Sequence, residues 1–230
     1  MTANLDRLLS EVDAVLLDFD GPICSIFAGL PAPQVATELT NVLERHAVDI
    51  LPDFVNEPDP LEVLRRISGG DRHIIQTVED ALCAAEKRAV DSADPTPYGR
   101  EVIVAARQAG MPVAVVSNNS AGAVETYLKK HRLAEYVSPV VGRAYAEPEK
   151  MKPDPTPIQQ AVRTVGIPPN RCVLVGDSLT DIHGARAANV RVIGYANRPT
   201  KIKRFQAAGA DAVVTSMGEI ARELIKRSDA

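Results

Sequence analysis

An apolar run that stops abruptly on two carboxylates dictates the architecture of this chain. Val12, Ala14, Val15, Leu16 and Leu17 lead into Asp18, Phe19 and Asp20, and Gly21 and Pro22 break the chain immediately after. A short aliphatic run bounded by breakers reads as a buried parallel strand opening into a loop. In an open α/β sheet, ligands bind outside the carboxyl ends of the strands, so both carboxylates stand where chemistry is expected. Strand side chains alternate, which puts Asp18 and Asp20 on one side and Phe19 on the other. Two such charges about 4 Å apart repel by roughly 4 kcal/mol at an effective dielectric of about 20. The pair therefore calls for a cation, a Lys or Arg, or a shared proton.

The rest of the chain divides into a helical block and a β/α alternation. Residues 23–33, with Gly29, Pro31 and Pro33, read as a linker. Helical spacing follows over residues 34–48, again around Leu61, Leu64 and Ile67, and over residues 71–92. No strand signal appears in residues 34–92, and Pro-rich joints at 51–60 and 94–97 punctuate the block. From residue 98 onward, strands at 113–116, 140–141, 173–175, 191–195 and 212–214 alternate with helices. That alternation predicts a doubly wound parallel α/β sheet. The expected division is a core of residues 1–22 and 96–230, with an all-helical insert at 23–95.

Composition narrows the partners. A net charge of −4 gives no general attraction to nucleic acid or to an anionic membrane, so neither is expected as a partner. No apolar run approaches the roughly 18 residues of a membrane span. The first residues show no basic region followed by an apolar one, so no signal peptide is expected. Cys24, Cys83 and Cys172 are odd in number and lack CxxC spacing, which supports neither a disulfide framework nor a zinc site. A cytoplasmic protein with reduced, packed thiols is expected. Oligomeric state is left open.

Four strand ends or following loops carry complementary polar groups: Asp18 and Asp20, Ser117 and Asn118, Lys152, and Asp177 with Asp181. Parallel strands end on one edge, so these groups can converge. Several carboxylates around a small space suit a hard cation such as Mg2+. A lysine and a hydroxyl beside them suit a phosphoryl group. A carboxylate can attack phosphorus as a nucleophile, and a second can act as general acid and then base. Metal-assisted phosphoryl transfer, with hydrolysis as its expected outcome, is the chemistry these residues support.

Asp18, Phe19, Asp20 and Gly21; Ser117 and Asn118; Lys152, Pro153, Asp154 and Pro155; and Gly176, Asp177 and Ser178 with Asp181 together resemble the four motifs of the haloacid dehalogenase superfamily. The helical insert resembles the cap of its phosphoglycolate phosphatase-like and β-phosphoglucomutase-like branch. The resemblance implies a Rossmann-like core with an inserted cap, and a magnesium-dependent phosphatase acting on a small phosphorylated metabolite. It implies Asp18 as nucleophile, forming an aspartyl-phosphate, and Asp20 as general acid and base. Ser117 and Lys152 would bind the phosphoryl group, with backbone N–H groups of Gly21 and Asn118. Asp18, Asp177 and the carbonyl of Asp20 would hold the metal, and Asp181 would support its shell. Pro22 departs from the usual Thr or Val, and Asn119 from the usual Thr or Lys; Asn119 is expected at the site or its edge. A phosphosugar mutase and a non-catalytic binding module remain as rival readings. Arg65, Arg66, Arg72 and Lys87 read as solvated cap surface, from which one residue could reach the substrate's leaving group. His46, His73, His131 and His183 receive no role.

Overall fold

The computed structural model describes residues 2–46 and 57–228. The expected end of the first insert helix near residue 48 and most of the joint at 51–60 lie outside the described residues. After α1 (Thr2–Ser10), the strand β1 (Ala14–Leu17) is buried along its whole length. It is flanked on both sides, pairing in parallel with β4 (Val113–Val116) and β6 (Cys172–Gly176). Among the described residues the sheet has six strands in the order β5-β4-β1-β6-β7-β8, every neighbouring pair parallel. β5 (Val140–Val141), β7 (Arg191–Tyr195) and β8 (Ala212–Val214) complete it. The chain runs from β1 outward through β4 to β5, then returns beside β1 and runs the other way through β6, β7 and β8. The direction reverses between β1 and β6, which is where a doubly wound sheet opens its ligand crevice.

Strand alternation builds a core on each face. Val15, Leu17, Val113, Val115, Val173 and Val175 face one apolar cluster with Leu8 of α1. α5 (Gly99–Gln108), α6 (Ala121–Lys130) and α10 (Met217–Ser228) cover it. Leu16, Ala114, Val116 and Leu174 face the opposite cluster. α7 (Thr156–Val165), α8 (Leu179–Ala187) and α9 (Thr200–Ala207) pack there.

The insert buries its own apolar stripe. Leu39 and Leu43 of α2 (Ala32–Arg45), Leu64 of α3 (Pro60–Arg66) and Val78 and Leu82 of α4 (Arg72–Ala89) close a separate cluster. Asp59 and Asp71 cap α3 and α4 by accepting from Leu61 N (2.9 Å) and His73 N (2.8 Å). The expected third helix ends at Ala89, and a 3-10 turn, Val90–Ser92, finishes it. The linker at 23–33 is partly strand. β2 (Cys24–Ser25) pairs antiparallel with β3 (Asp94–Pro95), so the two crossings into and out of the insert are zipped together. Two-residue strands carry no readable period, which is why the sequence shows none.

Candidate active site

Asp18 follows β1 and is held from three directions. Its N–H donates to the Val175 carbonyl of β6 (2.9 Å), and its Oδ1 accepts from Phe19 N (2.7 Å). Lys152 Nζ lies 3.0 Å from the same Oδ1. Asp20 Oδ1 accepts from Ile26 N (3.0 Å). Gly21 sits at φ +101°, and a Cβ there would lie 2.4 Å from Asp177 Cγ. The turn is therefore glycine for two reasons, handedness and the approach of Asp177. The expected role of its N–H is corrected: Gly21 donates to the Cys24 carbonyl (2.7 Å). That bond closes the loop and leaves Gly21 supplying space.

Ser117, at the end of β4, is 1% exposed. Asn119 N donates to its Oγ (3.1 Å), and that Oγ donates to Asn119 Oδ1 (3.2 Å). The N-cap of α6 is Ser120, so helix capping does not account for Ser117. Asn118 brackets the backbone of Lys152. Its Oδ1 accepts from Lys152 N (2.8 Å), and its Nδ2 donates to Lys152 O (3.1 Å). Asn119, expected at the site, lines the cleft, yet its carboxamide is engaged with Ser117 and with Glu86 of α4.

Lys152 is 1% exposed and its Nζ is fully used. It donates to Val116 O (2.7 Å) and Asp181 Oδ1 (2.6 Å) and pairs with Asp18. Burial works against its charge, but Asp18 and Asp181 outweigh that and raise its pKa. Asp181 is fully buried, and both of its oxygens are taken. Oδ2 accepts from Ser178 N (3.0 Å) and Ser178 Oγ (2.6 Å), closing a capping box at the start of α8. A Cβ on Gly176 would lie 2.3 Å from Asp181 Cγ, so that glycine lets the carboxylate fold back. Asp177 is oriented by Lys201 Nζ (2.7 Å) and Asn197 Nδ2 (3.0 Å), both on Oδ2.

Asp18, Asp20, Ser117, Asn118 and Asp177 line one cleft of about 370 Å³. The insert contributes Phe27, Asp59 and Arg65 to its wall. Arg65 Nη2 donates to Lys152 O (3.1 Å), which ties α3 to the site. Asp18, Asp177 and Asp181 each offer an oxygen within 4.8 Å of the others. Burial, then Asp181 and Asp177, push Asp18 well above its ordinary pKa, against the pull of Lys152. Burial pushes Asp20 up to about 6. Three crowded carboxylates with an excess of negative charge fit a hard divalent cation with oxygen ligands.

Lys201, Asn197 and Glu86 carried no signal in the sequence as motifs. Glu79 and Glu86 did leave one trace, since both fall on the apolar face of α4 among Ile75, Val78, Leu82 and Ala85. A carboxylate on a buried stripe marks a paired charge.

A sequence profile of the haloacid dehalogenase-like hydrolases matches residues 50–195. The phosphoglycolate phosphatase of Neisseria meningitidis is 27% identical over 234 residues, covering 96% of this chain and 97% of that one. The phosphoglycolate phosphatase of Nitrosospira multiformis is 28% identical over 228 residues, covering 94% and 97%. The crystal structure of CbbY from Rhodobacter sphaeroides in complex with phosphate superposes with a TM-score of 0.67 at 22% identity, covering 91% of this chain and 96% of that one. The matched profile spans the Ser117 loop, Lys152 and the Asp177 turn, and with it the chain belongs to the haloacid dehalogenase-like hydrolase family.

Proposed function

We propose that this protein is a magnesium-dependent phosphatase that hydrolyses a small phosphorylated metabolite through an aspartyl-phosphate on Asp18. The observation that carries the reading is the clustering of Asp18, Asp177 and Asp181, with Lys152 paired to Asp18, beside a cleft that Asp18, Asp20 and Asp177 line. Phe19 N–H and Lys152 Nζ both hold Asp18 Oδ1 and fix the rotation of the nucleophile. A carboxylate oxygen of Asp18 bonds to phosphorus as the bond to the substrate's oxygen breaks. Asp20 gives its proton to that departing oxygen, then takes one from the water whose oxygen displaces Asp18. A pKa of about 6 suits both halves of that exchange. Ser117 holds a phosphoryl oxygen, and Lys152, paired with Asp18, supplies positive charge behind it. Asp18, Asp177 and the Asp20 carbonyl would hold Mg2+, with Asp181 behind them; bound there, it would neutralise charge on the phosphoryl group.

Residues 23–95 act in this reading as a cap over the cleft, supported by their separate apolar cluster and by the β2–β3 ribbon at their two ends. Arg65 is placed to meet an anionic leaving group. With phosphoglycolate phosphatases among its relatives, phosphoglycolate is the first substrate to try. Three unpaired cysteines support a cytoplasmic setting. The test is phosphate release from phosphoglycolate, sugar phosphates and nucleotides, with Mg2+ or EDTA, by the native protein and Asp18→Asn. Magnesium-dependent release abolished by Asp18→Asn is expected. No release from any substrate by folded, metal-supplied protein overturns the reading.

A further inference from the structure

Behind the phosphate-binding loop lies a buried ionic cluster that none of the roles above uses. Glu79 and Glu86 stand two turns apart on α4, and Arg143 arrives from the loop after β5. Their side chains are 1%, 0% and 0% exposed. Arg143 Nη2 lies 2.7 Å from Glu79 Oε1, and Arg143 Nη1 lies 2.9 Å from Glu86 Oε1. Burying such charges is costly and by itself adds little stability. The useful question is what the cluster holds in place.

Glu79 touches Arg143 and the Cys83 thiol (3.3 Å). Glu86 does more. Its Oε2 accepts from Ser120 N (2.9 Å) and its Oε1 from Asn119 Nδ2 (3.2 Å). Ser120 is the N-cap of α6, where the helix dipole favours a carboxylate. Arg143 Nη1 donates to Asn118 O (2.6 Å). Three consecutive residues of the loop, 118, 119 and 120, are thus gripped from behind.

The grip reaches Ser117 through Asn119. A carboxylate only accepts, so the Asn119 amide must turn its NH2 to Glu86 and its oxygen to Ser117. Asn119 N–H then fixes the Ser117 oxygen, while the hydroxyl proton rests on Asn119 Oδ1 at 3.2 Å. That long bond is easily exchanged for a phosphoryl oxygen.

We propose that Glu86 is a positioning residue for phosphate binding. From the insert, it sets the Asn119 amide and the Ser117–Ser120 backbone that present the Ser117 hydroxyl. The insert is then part of the phosphate site's own scaffold as well as its cover. The proposal rests on the phosphatase reading for its purpose, and its test is chosen to work without turnover.

The test compares Glu86→Gln and Glu86→Ala with Glu79→Gln. Each Gln variant leaves Arg143 one carboxylate, and of the two glutamates Glu86 is the one that bonds the loop. Three quantities are measured: amide hydrogen exchange at residues 117–120, binding of inorganic phosphate with Mg2+ by calorimetry, and melting temperature. Glu86→Ala is expected to speed exchange at residues 119 and 120 and to weaken phosphate binding at least tenfold. Glu86→Gln, which keeps one acceptor oxygen, should lose less. Glu79→Gln should stay within about twofold on both while it lowers the melting temperature. Equal losses in the two Gln variants, or unchanged exchange at 117–120 in Glu86→Gln, would overturn the proposal and leave the cluster a stability element. If Glu86→Ala does not fold, the Gln pair decides. Hydrogen exchange needs no hydrolysis, so it upholds or sinks the positioning role whatever the substrate panel shows.

Discussion

Lys152 is the residue on which the site's electrostatics turn. It stands between Asp18 and Asp181 with no solvent to share the load. Removing one partner of a buried pair strands the other, at a cost of about 3–5 kcal/mol. Lys152→Met should therefore lose roughly that much stability in metal-free protein at neutral pH, and less with Mg2+ present, as read by urea denaturation. Gly21 carries a second residue-scale prediction. A methyl group there collides with Asp177 and must also adopt φ +101°. Gly21→Ala should keep the sheet folded yet lose the thermal stabilisation that Mg2+ confers, and an unchanged metal response would refute the packing argument.

At the scale of the element, α4 and α6 each carry a measurable consequence. α4 shows one face to the insert cluster through Ile75, Val78 and Leu82. Leu82→Ala should cost about 2–5 kcal/mol and raise hydrogen exchange in α2–α4 before it does so in β1, β4 and β6. Uniform exchange across both regions would mean that insert and core unfold as one. His131, the C-cap of α6, stacks on Tyr127 with ring centroids 4.0 Å apart. Burial, then Lys130 and Arg100, hold the His131 pKa below its ordinary value. The unfolded chain therefore binds this proton more readily. The sign follows from linkage: above about 6.5 the group is neutral in both states, and stability declines as pH falls through 6.5. His131→Phe should flatten that part of the pH–stability curve.

For the whole molecule, the proposed metal role of the clustered carboxylates makes the folded state a receptor that the unfolded chain is not. Mg2+ at a hundred times its dissociation constant should add about 2.7 kcal/mol of stability, reversed by EDTA and absent in Asp177→Asn. A melting temperature indifferent to Mg2+ would contradict the assignment of that cluster. The location of the cleft follows from topology: β1 and β6 lie side by side, but their outgoing connections diverge. The crevice so formed brings Asp18 and Asp177 together although 159 positions separate them in the chain.

Periodicity and breakers are local properties, and local properties were enough for the parallel sheet, the helical insert and the polar strand ends. Buried strands read as unbroken apolar runs, and β1, β4 and β6 carry them in plain view. What depends on contacts between distant residues had no such trace. Lys201 and Asn197 reach Asp177 only once α9 packs beside α8. Arg65 meets Lys152, and Glu86 meets Asn119, only once the insert docks on the core. The partner of the Gly21 N–H was equally hidden, because the fold of the loop decides it. The sequence by itself determined which chemical groups stand at the strand ends. The tertiary structure alone decided which side chains hold those groups in place, since a buried charge takes its partner from whatever the fold brings within about 3 Å.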